Sequence, residues 1–342
     1  MNSSVNVSVS SSLTYRGATE TTVTRNVIVI ALGLVINYIN GTLLHTFRKH
    51  QIFYTNPRYI LFIHLVVNDM IQLTTSISLH VFSYIFYNMN ASICCFFIVV
   101  ANFTTQNTPL NLAVMAAECY IAVCFPLRHA ELCTVKRTYI LISCIWVLSS
   151  MSIVPDIFIH LAADPLWFFY YIAYCDKDIL FRHPVSLQKR VITYIMSLTI
   201  VWFTLLFIYL KIFFTAQAVN LVDGNAKKAR NTILLHGFQL LFCMLTYVDP
   251  IVKNMIITWP NYLASELRFV WYIFAHILPR FISPIVYGLR DKTFKQYLKN
   301  YLLCNIRAGN KFWWLVDHML VICGMLVKLA VPASNHLFTL LD

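Results

Sequence analysis

Of the 342 residues, 59% are hydrophobic and 12% charged, and the mean hydropathy is +0.67. Soluble domains carry about a quarter charged residues, so this composition excludes one and indicates a chain solvated by lipid. The net charge of +12 is not the footprint of a nucleic-acid binder, because no soluble domain is long enough to hold a basic face. No GxSxG, HExxH, Walker loop or paired CxxC pattern occurs, so no catalytic residue, metal site or cofactor is expected.

Residues 1–25 are polar and rich in Ser and Thr, without a basic stretch followed by an apolar core, and read as an extracellular segment whose following span is its own signal anchor. Asn2, Asn6 and Asn90 open glycosylation sequons on segments that would face the lumen. Apolar runs then recur at about 26–47, 58–86, 92–121, 138–160, 190–214, 229–251 and 268–289. They lack the alternation of barrel strands, so each is a helix. The expected fold class is an all-α membrane protein, a seven-transmembrane helix bundle over residues 26–289. Arg48, Lys49, Arg58, Arg128, Lys136, Arg137, Lys227, Lys228 and Arg230 fall in segments that face the cytoplasm if the N-terminus is outside, as the positive-inside rule requires.

Ionised side chains at membrane depth are costly and mark function. Asp69 lies near the middle of the second span, and its expected partner is Arg280, the basic residue within the seventh; Asn40 of the first span would complete the cluster. Pro279 and Pro284 each remove a helix hydrogen bond from the seventh span, giving either a hinge or a fixed bend. Residues 290–304 place Phe294, Tyr297, Leu298, Tyr301 and Leu302 at helical spacing among lysines, an amphipathic helix on membrane lipids with Cys304 as an acylation candidate. Of the ten cysteines, Cys94, Cys95 and Cys175 face the oxidising side. They allow one disulfide, Cys94 to Cys175, with Cys95 the alternative to Cys94.

The stretch "MAAECYIAVCFPLRH" at 115–129 resembles the end of the third helix in rhodopsin-like G-protein-coupled receptors, and its "PLRH" is closer to odorant receptors. "KARNTILLHGFQL" at 228–240 is similar to the odorant-receptor entry to the sixth helix, and "SPIVYGLRDKTFKQYL" at 283–298 to the seventh helix and the amphipathic helix after it. The acid and tyrosine of the family motif match Glu118 and Tyr120, but the arginine position holds Cys119, a version that resembles the fish-type branch; Ser283 replaces the usual asparagine. The resemblance implies that Asp69, Glu118, Cys119, Tyr120, Arg280, Pro284 and Tyr287 serve switching and coupling to a heterotrimeric G protein. It also implies a small-molecule odorant pocket between the third, fifth and sixth helices, with Asn102, Thr105, Gln106, Thr193, Ser197, Tyr247 and Ile251 as its lining. Ala101 stands where amine receptors carry an acid, so neutral or weakly polar odorants are favoured over cationic amines.

Residues 305–342 form an apolar extension that the family pattern does not require. Residues 312–331 are long enough to span, but a membrane-surface segment or a gene-model error accounts for the extension better, since such receptors usually end in a short polar tail. The competing readings are a transporter, disfavoured by the lack of an inverted internal repeat, and a non-olfactory receptor for a peptide or lipid.

Overall fold

The computed structural model describes residues 2–85, 89–163, 172–173, 175, 183–218, 238, 241–242, 244–249, 251–256 and 258–282. Pro284, Tyr287, the expected amphipathic helix, Cys304 and the apolar extension lie outside them. Among the described residues, five helices are long and apolar enough to cross a membrane.

The first, α1, runs Asn2–Lys49, starting well before the apolar run expected from about residue 26. No proline precedes Pro57, so nothing removes a backbone donor along the Ser/Thr-rich run and the helical ladder continues through it. Its 48 residues make a rod about 70 Å long, more than twice the hydrocarbon thickness of about 30 Å. Only Val23–Lys49 is apolar enough to span.

A short 3-10 turn, Gln51–Phe53, leads to α2, Pro57–Ile85. Pro57 has no N–H to orphan in a first turn, and Asn56 Oδ1 accepts from Arg58 N at 3.0 Å, closing the helix start. Gly33 of α1 lies where an added Cβ would run into Ile77 of α2, so the missing side chain lets these helices approach closely.

After β1, Met89–Asn90, comes α3, Ala91–Cys124. Asn90, one of the sequon asparagines, caps this helix by accepting from Ser92 N at 2.9 Å. Phe125 ends α3 and begins the short α4, Pro126–Leu132, so the proline-bearing basic segment is itself helical. Then follow α5, Val135–Ala163, β2, Ile172–Ala173, and α6, Pro184–Ala218. Strands β1 and β2 pair antiparallel, Met89 opposite Ala173 and Asn90 opposite Ile172. This small ladder, unanticipated in an all-helical reading, holds the outer loop beside the top of α3. There Cys94 and Cys175 are disulfide-bonded with Cα atoms 5.6 Å apart, and Cys95, the alternative, is outside the disulfide.

The sixth span is helical over 244–249 and 251–256, a turn beyond its expected end. Helix α7 spans Asn261–Tyr272, beginning earlier than the apolar run and passing into a π turn at Ile273–Ile277. The extra polar turn has a partner: Arg25 Nη1 donates to Ser265 Oγ at 2.8 Å, pairs with Glu266 and lies 5.5 Å over the Phe269 ring. The π turn precedes Pro279, whose ring would crowd the carbonyl of Ala275 in a regular helix; widening the ladder there relieves that crowding.

Helix α3 packs against α2, α4, α5 and α6. One core joins Phe47, Leu61, Leu65, Leu112, Met115, Leu205 and Met244, and a second joins Val29, Ile36, Leu73, Phe269, Ile273 and Phe281. Large apolar side chains on α5 and α6, among them Leu148, Phe158, Phe203 and Phe207, point outward, where lipid and not water solvates them.

The disulfide ties the outer loop to the hub helix. Cys175→Ser is expected to lower stability by about 2–4 kcal/mol, read as an earlier melting transition of the purified protein and weaker surface staining. Unchanged melting would show that the strand pair alone holds the loop.

Candidate functional site

One face of α3 carries a row of polar groups at helical spacing, Thr104, Thr108, Asn111 and Glu118, and all of them meet α2. Asn68 Nδ2 donates to Thr104 O at 3.0 Å and to Thr108 Oγ1 at 2.9 Å, and Asn111 Nδ2 donates to Leu61 O at 3.1 Å. On the adjoining face Ser149 of α5 donates to Asn107 Oδ1 at 2.5 Å. These bonds satisfy side chains that lipid cannot, and each fixes a rotation of α3 against a neighbour.

Beside this row, Arg280 Nε lies 3.5 Å from Asp69 Oδ1, with the side chains 1% and 0% exposed. Bringing each charge out of water costs several kcal/mol, which their mutual attraction repays in part. Asn40 is also fully buried, but its amide makes no hydrogen bond among the described residues, so it does not complete the cluster by bonding, as had been expected.

Nearer the disulfide, the expected lining residues separate. Tyr247 donates its hydroxyl to Gln106 Oε1 at 3.3 Å and stacks edge-on with Tyr194 of α6, ring centroids 5.2 Å apart. The Gln106 Nε2 is buried and has no hydrogen-bond partner among the described residues. Thr105 turns instead to α2, where Gln72 Nε2 donates to its hydroxyl at 2.8 Å. Asn102, Thr193 and Ser197 are half-buried. Ile251 is 61% exposed, although it follows Tyr247 by one turn. Facing outward there, it departs from the expectation that it lines an interior pocket.

Asp249 is occupied by the protein: Lys253 Nζ lies 2.7 Å and His276 Nε2 3.6 Å from its carboxylate, and Trp271 Nε1 donates to it at 2.9 Å. Next to it the Tyr272 ring stacks between His80, centroid 4.5 Å away, and His276, 5.3 Å away, while its hydroxyl meets Ser76 Oγ at 3.1 Å. The second, sixth and seventh spans are joined here by residues that sequence reasoning had not brought together.

At the end opposite the disulfide, Glu118 is 6% exposed and is not the solvated boundary carboxylate that an isolated reading would favour. Arg58 Nε donates to Oε2 at 3.0 Å and Arg58 Nη2 to Oε1 at 3.2 Å, and His129 Nε2 lies 3.0 Å from Oε1. Cys119 is buried in the main core, and Tyr120 packs edge-on to Phe125, centroids 5.9 Å apart. In the loop beyond, burial and then the Glu118 charge push the Cys133 thiol up, so it stays protonated at neutral pH. Arg58 and His129 were missed because they stand 60 and 11 residues from Glu118. The one sequence signal was a basic residue directly after the helix-starting Pro57.

A polar seam running through a bundle of long apolar helices, with a disulfide-tethered loop at one end, is the architecture of a membrane receptor of the seven-helix class. The chain belongs to the rhodopsin family of seven-transmembrane receptors, whose family model matches residues 39–287. It is therefore a multi-pass membrane protein. It is 28% identical over 316 residues to Odorant receptor 131-2 of Danio rerio, covering 91% of this chain and 94% of that one. It is 24% identical over 285 residues to Olfactory receptor 56A1 of Homo sapiens, covering 77% and 84% of the two chains.

Breaking the buried pair by Asp69→Asn leaves the buried Arg280 charge without this carboxylate, an expected loss of about 3–5 kcal/mol. The double change Asp69→Leu/Arg280→Met is expected to recover most of it. Melting of the purified proteins in detergent reads both, and a wild-type transition for Asp69→Asn would remove the pair as a structural element.

Proposed function

We propose that this chain is an odorant receptor: a small neutral or weakly polar odorant binds among the third, fifth and sixth helices, and the bundle activates a heterotrimeric G protein by population shift. The similarity to odorant and olfactory receptors supports the class. The observation that carries the ligand chemistry is the buried Gln106 Nε2, a donor with no partner among the described residues, next to the Tyr247 hydroxyl. A buried donor left unsatisfied costs about 1–3 kcal/mol, which a ligand oxygen accepting from it would recover. The family-matched acid position on α3 is Ala101, and Asp249 is already paired with Lys253 and bonded by Trp271. Both facts favour an oxygenated neutral ligand over an amine.

In this reading the receptor sits in the plasma membrane with the N-terminal segment and the Cys94–Cys175 bond outside, and Glu118, Cys119, Tyr120 and Tyr287 at the cytoplasmic face. Asn2, Asn6 and Asn90 are then on the glycosylated side. Asp69 and Arg280 change their contact as the bundle opens. The ligand shifts the equilibrium only by as much as it prefers the open arrangement.

Cells expressing the chain with a cyclic-nucleotide reporter, screened with alcohols, ketones, carboxylic acids and amines under parallel surface staining, test this reading. Oxygenated neutral compounds are expected to activate. For an active one, Gln106→Ala and Tyr247→Phe are expected to raise the half-maximal concentration about tenfold, one hydrogen bond's worth, with surface staining unchanged. Activation by amines alone, or agonist potency indifferent to Gln106→Ala, would overturn the ligand assignment.

A further inference from the structure

The rhodopsin-like motif that residues 118–120 resemble places an arginine directly after the acid, on the same helix. Here that position is Cys119, 3% exposed within the apolar core. Glu118 is nevertheless buried at 6% exposure, and a carboxylate so placed requires a counter-cation. The structure supplies it from another helix. Arg58 engages both carboxylate oxygens, at 3.0 and 3.2 Å, and His129 adds a contact at 3.0 Å.

The geometry of the substitute differs from what it replaces. An arginine at position 119 would stand on the same helix as the acid, whereas Arg58 comes from another. Arg58 stands in the first turn of α2, held there by the Asn56 cap and by Pro57. Its planar fork fits a carboxylate in a fixed orientation. His129 reaches the same carboxylate from α4, across the break at Phe125. The charge contact therefore joins the ends of α2, α3 and α4, and these ends cannot separate without exposing or re-pairing Glu118.

We propose that Arg58 is the positioning residue that takes over from the absent arginine, clamping Glu118, together with His129, so that this end of the bundle rests closed. This rests on the receptor reading given above. The clamp stabilises the resting arrangement, so weakening it raises signalling without ligand. Cys119 then marks a relocated lock and not a lost one.

The test uses the full chain in cells with the cyclic-nucleotide reporter, read without odorant and normalised to surface staining, beside melting of the purified proteins. Arg58→Ala and Glu118→Gln are each expected to raise basal signal at least about fivefold, the lower range of coupling between sites, and the double variant no further. Arg58→Lys keeps the charge but loses the fork and should fall between. The exchange Arg58→Glu/Glu118→Arg should return basal signal toward wild type, which general loosening of the fold would not do. In melting, the losses from Arg58→Ala and Glu118→Gln should be non-additive. Basal signal unchanged by Arg58→Ala in a chain that still answers an odorant overturns the clamp and leaves the receptor reading intact. Additive melting losses overturn the pairing itself. Reporter silence in every chain, with non-additive melting losses, instead refutes the receptor reading and the signalling role that rests on it.

Discussion

Inside hydrocarbon a polar side chain has no water to turn to, so each one this chain carries into the bundle has to be satisfied by a neighbouring helix or left at a cost. Apolar packing cannot supply the same direction, because lipid tails are as apolar as leucine and solvate the outward faces of α5 and α6 equally well. What sets the rotation of α3 against α2 is therefore the row of bonds from Asn68 to Thr104 and Thr108, from Asn111 to Leu61 and from Glu118 to Arg58. Each such bond contributes only about 0.6 kcal/mol on average. Several on one face, at one helical spacing, leave a single rotation that satisfies all of them.

The two charged contacts in this seam differ in kind. Asp69 and Arg280 are closed off from solvent, so any change in their contact carries the desolvation cost of both charges. The Arg58 side chain is partly open to solvent while Glu118 is not; water can take over the cation when the helices part, and the cost falls on the carboxylate alone. A contact of that type is stable at rest yet can be undone, which suits the end of the bundle where a partner protein would bind. The π turn at Ile273–Ile277, just ahead of Pro279 and Arg280, interrupts the regular ladder of the seventh helix on the disulfide side of the buried pair.

The disulfide end is organised by different forces. The Met89–Ala173 ladder, the Cys94–Cys175 bond, the Arg25 contacts with Ser265 and Glu266, and the Asp249 cluster with Lys253, Trp271 and His276 bind loop and helix ends together.

The membrane-crossing helices α2, α3, α5 and α6 were legible in the sequence because transfer of apolar runs into lipid depends on composition and length, which are local properties. The disulfide was legible down to a choice between Cys94 and Cys95, since cysteine accounting needs only topology. The Asp69–Arg280 pair was proposed from scarcity: two buried charges of opposite sign at membrane depth have few alternatives. Where elements ended was less legible, as α1 continuing to Asn2 and α7 starting at Asn261 show, because polar residues carry no transfer signal yet still form helix. The outward face of Ile251, the turn of Thr105 to α2 and the meeting of Arg58, Glu118 and His129 were not legible at all. They depend on how each helix is rotated about its axis and which neighbour it meets. That choice is made by the simultaneous satisfaction of buried polar groups far apart in the chain, so the sequence alone determined a multi-span receptor bundle, and only the packed tertiary structure decided which of its charges hold one another.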